Sequence, residues 1–174
     1  MTVNIGSTAN IGTGTGVPKW VRALLFAAAL VETIGGLTGL TLFSDFHEYE
    51  STAAQWAIFA NLAIAPVFAI PALYFIAEGN LRYGILALAA VAMAALALDT
   101  LPTIFVQGMA SFGEGVMPFY LFVRMLVLPA LCVWAAWLAW RNERLMLAGI
   151  LVSLPSIASI VDLLAFAAGL VVYS

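Results

Sequence analysis

Charge is what this sequence has least of. Of its 174 residues, 9% are charged and 64% are hydrophobic, whereas soluble domains carry about 25% charged residues. That leaves too little polar surface to coat a water-soluble globule, so most of the exterior must meet lipid. The six basic residues are scattered and the net charge is −3, which argues against nucleic acid as a partner because that role needs a clustered basic footprint. The single cysteine, Cys132, rules out an internal disulfide. The single histidine, His47, lies outside the apolar runs, so no intramembrane His is present to hold a haem. Lys19 is the sole lysine and sits at the edge of an apolar run, which excludes a retinal-type Schiff base within the membrane.

Other chemistry is missing too. No Gly-rich phosphate loop of the nucleotide-binding kind occurs. Ser153, Ser156 and Ser159 have no histidine near them to act as a base, so serine hydrolysis has no support. The stretch "DFHEYE" gathers Asp45, His47, Glu48 and Glu50, but one His without a second cluster reads as a solvated loop and not a metal centre. No motif implies a cofactor.

What the chain does have is long apolar runs. A bilayer core of ~30 Å needs about 20 apolar residues in a helix. Five segments reach that length, at about 17–43, 54–77, 82–106, 116–140 and 145–172. They predict an all-α bundle of five transmembrane helices in one domain, 17–174, preceded by a flexible Gly/Thr/Asn/Ser-rich tail over residues 1–16. The first run exceeds a signal-peptide core and holds Glu32 and a glycine cluster, so it reads as a mature span. Short connections such as "EGNLR", where Gly79 and Asn80 suit a helix stop, force sequential antiparallel neighbours. Lys19, Arg22, Arg82, Arg141 and Arg144 all fall on one side of such a chain, and the opposite loops contain no Lys or Arg. The N-terminus is therefore expected in the cytoplasm and the C-terminus outside. Trp20, Tyr74, Tyr83, Trp137 and Trp140 mark the inner boundary, and Trp56, Tyr120 and Tyr173 the outer one. The expected setting is a multi-pass position in a bacterial inner (plasma) membrane.

Four ionisable residues interrupt the runs: Glu32, Asp99, Arg124 and Asp162. Counted from the inner boundary at 1.5 Å per residue, they lie at ~18, ~24, ~21 and ~26 Å respectively, all in the outer half and at nearly one level. Charges in hydrocarbon normally face the bundle interior or a wet cavity and find partners there. One carboxylate can pair bidentately with Arg124, either Asp99 or Asp162. Desolvation and mutual repulsion favour the protonated form of at least one other. Tyr120 lies one turn from Arg124, and Asn61 lies beside Pro66 and Pro71, where a kink could free carbonyls to line a site. Pro102, Pro118, Pro129 and Pro155 punctuate the other runs. In the first span Glu32, Gly35, Gly36 and Gly39 share a stripe, and Gly35 with Gly39 forms a GxxxG that invites close helix packing.

Together these features predict a small molecule or ion held in an outer-half polar cavity, with Glu32 at its floor, in a protein working as a proton-linked carrier. Self-association or a membrane protein partner is expected alongside the lipid bilayer. Two rivals share the same residues. A membrane enzyme of isomerase or hydratase type would use one protonated and one ionised carboxyl, and a structural or assembly subunit would use the charges only to lock helices.

Overall fold

The computed structural model describes residues 17–43, 52–101, 104–105 and 117–168. The tail 1–16, the "DFHEYE" loop, Pro102, Thr103, the loop 106–116 and Tyr173 lie outside the described residues, as do the side chains of Trp56, Asn61 and Asp99. Among the described residues the fold is all helical, without strands. α1 runs Lys19–Phe43 and α2 runs Thr52–Ala77. α3, Leu81–Ala95, continues into a π-helical stretch, Leu96–Thr100. α4, Met117–Phe122, passes through a second π-helical stretch, Val123–Val127, into α5, Leu128–Trp140. α6 runs Leu145–Ala167.

Four of these rods are long and apolar enough to cross a membrane, over Lys19–Thr41, Leu81–Leu98, Phe119–Trp140 and Leu145–Ala165, and α2 adds an apolar stretch over Leu62–Ala77. Helix is the expected answer for such sequences, because in hydrocarbon every backbone N–H and C=O must be paired within its own segment. The helices pack in ring order, α1 on α2, α2 on α3, α3 on α5, α5 on α6 and α6 back on α1, with α3 also touching α6 across the middle.

Two turns at one end set this order, and both are Schellman caps. After α2, the Asn80 N–H donates to Phe75 C=O (2.8 Å) and the Gly79 N–H to Ile76 C=O (3.1 Å), with Gly79 left-handed at φ 86°. After α5, the Glu143 N–H donates to Leu138 C=O (2.9 Å) and the Asn142 N–H to Ala139 C=O (3.0 Å), with Asn142 left-handed at φ 57°. Glycine and asparagine are the residues that take this conformation most readily. Two arginines add side-chain donors to the last carbonyls of α2 and α5. The Arg22 guanidinium donates to Ile76 C=O (3.0 Å) and Ala77 C=O at the end of α2. The Arg82 guanidinium donates to Trp140 C=O (2.9 Å) at the end of α5. Cations at a helix C-terminus both fill orphan acceptors and offset the helix dipole.

The core gathers at this same basic end. Val21, Leu25, Ala28 and Ala29 of α1 meet Ala72 and Ile76 of α2, Ile85, Leu88 and Ala89 of α3, Cys132, Ala135 and Ala139 of α5, and Ala148 and Val152 of α6. Alanine dominates because small side chains let helix backbones approach, and in lipid that contact, not exclusion of water, holds helices together. Gly149 is one such approach, where a Cβ would stand 2.9 Å from Val21 and 3.2 Å from Leu25. Along each helix, burial then ends at one residue: Thr33, Pro66, Val91, Pro129 and Ser156. Beyond those five positions no described side chain is buried.

Candidate functional site

The candidate site occupies the half beyond that boundary. Asp162, on α6, is its hub: the Tyr120 hydroxyl donates to one carboxylate oxygen and the Arg124 guanidinium to the other. Tyr120 and Arg124 are four residues apart and so share one helix face, which lets them grip the same carboxylate from the rod formed by α4 and the π-helical stretch. The trio joins this rod to α6. Arg124 and Asp162 form an ion pair whose side chains keep 38% and 20% of their surface accessible, so the pair is neither sealed in a core nor fully outside. Its formal charges cancel, and Asp162 has a donor on each oxygen.

Glu32 stands apart from this trio. Its carboxylate accepts a hydrogen bond from the Ser156 hydroxyl on α6 at 2.7 Å, and Ser156 is buried. Ser156 and Asp162 are six residues apart on one helix, or ~9 Å of rise. The ionisable residues thus form two polar stations, separated by about the ~8 Å by which the counted depths of Glu32 and Asp162 differ. Glu32–Ser156 lies at the burial boundary, and Tyr120–Arg124–Asp162 lies beyond it. Thr33 and Ser153, also buried near the boundary, spend their hydroxyls on their own helices, donating to Ala29 C=O (2.7 Å) and Gly149 C=O (2.8 Å). Ser159 does likewise with Pro155 C=O (3.1 Å).

Asp99 belongs to the π-helical stretch Leu96–Thr100, and this stretch packs against the π-helical stretch that carries Arg124. Asn61 lies within α2. The three glycines divide. At Gly36 a Cβ would come within 2.4 Å of the Pro66 ring and 3.0 Å of Ala65, and at Gly39 within 3.1 Å of Leu62. At Gly35 it would meet nothing within 4 Å. The close α1–α2 contact thus runs through Gly36 and Gly39, and Gly35, the first member of the expected GxxxG, turns away from it. A stripe at i, i+3, i+4 and i+7 covers a wide arc, and only part of it can face one neighbour.

The paired π-helical stretches are the feature that residue patterns missed. In each case a proline stands two positions past the end of the stretch: Pro102 after Thr100, and Pro129 after Val127. A proline ring clashes with the carbonyl four residues earlier, and a π-turn is one way to accommodate it. Proline alone would not have found them, because Pro66, Pro71 and Pro155 lie within regular α-helix. Single-turn π insertions recur at functional sites, and here both fall at the level of the ionisable residues.

No group of three or more His, Cys, Asp or Glu side chains that could hold a metal ion occurs among the described residues. No protein-family model, curated protein or solved structure matches this chain.

Proposed function

We propose that this is an integral membrane protein that binds a small molecule or ion in a polar cavity between the helices of its outer half, and that it moves this ligand in exchange with protons. In this reading all five helical rods span the bilayer, the N-terminus is cytoplasmic, and the membrane is a bacterial plasma membrane. Support for the orientation comes from Lys19, Arg22, Arg82, Arg141 and Arg144, which gather at the basic end, and from Trp20, Tyr74, Tyr83, Trp137 and Trp140, which are exposed there. The exposed side of α1 at Gly35 offers a face for a second copy.

The observation that carries the binding reading is the partly accessible Tyr120–Arg124–Asp162 trio beyond the burial boundary. A polar group in a membrane helix that keeps accessible surface faces a cavity or pathway more often than it faces lipid. Asp162 would act as the ligand- or proton-exchanging carboxylate, Arg124 as its counter-ion, Asp99 as a second carboxylate, and Glu32 as the floor. Native mass spectrometry of gently purified protein tests the reading. A small molecule should be retained by the wild type and lost from Asp162→Asn, and reconstituted vesicles should take up protons on ligand addition with the wild type only. Retention and uptake unchanged in Asp162→Asn would overturn it.

A second reading follows from the ion pair itself, which joins two rods and could serve only to lock them. The exchange Arg124→Asp with Asp162→Arg separates the two. A lock recovers both fold and activity, because the pair is restored; a binding site recovers the fold alone.

A further inference from the structure

At the basic end, away from the trio, Arg82 and Arg141 each engage the last turn of α5. The Arg82 side chain reaches from the start of α3 to donate to Trp140 C=O at 2.9 Å, and its guanidinium carbon lies 5.7 Å from the ring centroids of both Tyr83 and Trp140. Arg141, the cap residue of α5, places its guanidinium over the Trp137 ring at 4.4 Å. Stacking covers the face of a guanidinium but leaves the N–H donors at its edge free, in the fork that matches a phosphate oxygen pair. Arg141 uses none of those donors within the described residues. Arg82, Arg141 and Arg144 against Glu143 give this corner a net charge of +2.

The three rings, Tyr83, Trp137 and Trp140, are exposed, and Trp140 is 68% accessible. In water such a cluster would be costly to leave bare. At a membrane edge it is the setting in which amphipathic rings lie at headgroup depth with acyl chains beside them. Aromatic rings facing acyl chains and guanidinium forks facing the headgroup layer suit one class of molecule. We propose that the corner formed by the start of α3 and the end of α5 binds the headgroup of an anionic phospholipid, with the phosphate held by the Arg141 fork and by the part of the Arg82 guanidinium not given to Trp140 C=O, and the glycerol region resting on Trp137 and Trp140. A zwitterionic lipid offers the same phosphate but brings its own cation to a corner already carrying net positive charge, so the site discriminates by headgroup charge.

The proposal does not depend on any ligand beyond the burial boundary, and the trio is intact in every variant used to test it. Full-length protein in detergent is mixed with phosphatidylglycerol or phosphatidylcholine of identical acyl chains, and adducts are counted by native mass spectrometry. The wild type should retain phosphatidylglycerol about tenfold better than phosphatidylcholine at equal concentration, a difference of about 1.4 kcal/mol. Arg141→Gln, at an exposed cap position, should lose most of that preference while remaining folded by circular dichroism. Lys19→Gln, a basic residue at the same end on α1, should keep it. Arg141→Lys preserves the charge but not the stacked fork, and should fall between wild type and Arg141→Gln. Equal retention of the two lipids by the wild type would overturn the proposal. So would an unchanged preference in Arg141→Gln, and so would displacement of the lipid by millimolar inorganic phosphate, which would mark a free-anion site instead.

Discussion

The two halves of this bundle are built on opposite rules. In the basic half, alanine-rich faces are closed against each other, two turns carry Schellman caps, and Arg22 and Arg82 donate to the last carbonyls of α2 and α5. In the other half no described side chain is buried, two helices open into π-turns, and the cross-helix polar contacts run through Tyr120 and Arg124, with Ser156 bonding Glu32 at the boundary itself. The contrast teaches that close packing and polar chemistry have been separated along the length of the helices. Packing stabilises one half by dispersion and close backbone approach, while the other keeps polar side chains accessible at the cost of contact.

Truncation at matched leucines gives the largest expected effect and the first way to break the comparison. Leu25 is fully buried in the packed half and Leu163 is 66% exposed beyond the boundary. Leu25→Ala should cost about 2–5 kcal/mol through lost contacts and a residual cavity, and Leu163→Ala should stay within about 0.5 kcal/mol. Reversible unfolding in mixed micelles measures both. Equal losses at the two sites would mean that the halves are packed alike.

An intermediate effect is expected on α1 at the boundary itself. Gly36→Val forces a side chain onto the Pro66 ring, where even a Cβ would lie at 2.4 Å, so overpacking should cost about 1–3 kcal/mol. Gly35→Val meets open space and should leave the monomer's unfolding unchanged. If Gly35→Val instead abolishes a dimer seen by cross-linking, the free face of α1 is the contact between copies.

Much of this architecture could be read from residue patterns, for simple physical reasons. Apolar runs of span length have one backbone solution in lipid, which is why α1, α3 and α6 begin within two residues of the expected starts. Gly79 announced a helix stop because few residues tolerate the left-handed cap it adopts. The polar site was legible only in part. Arg124 had two candidate carboxylates at similar depth, and rise per residue cannot choose between them; the structure shows its pair with Asp162, which Tyr120 shares. For Glu32, residue patterns named no partner. Ser156, the actual partner, carried no signal, since a serine in a membrane helix usually bonds back to its own turn, as Ser153 and Ser159 do.

The smallest change is the most diagnostic for the accessible half. Tyr120→Phe keeps the ring and removes one donor from Asp162, leaving the Arg124 pair in place. A single such hydrogen bond contributes about 0.5–1.5 kcal/mol, and partial exposure of the trio puts the expected stability loss at the lower end. A site that binds through Asp162 should feel the change more than the fold does, because a carboxylate with one donor removed is reoriented as well as less compensated. Ligand retention should therefore fall several-fold while the unfolding midpoint barely moves. A lock between helices makes the opposite demand, since its whole effect is on unfolding. The ratio of the two losses in one variant decides whether the open half of the bundle is there to hold something or only to hold itself.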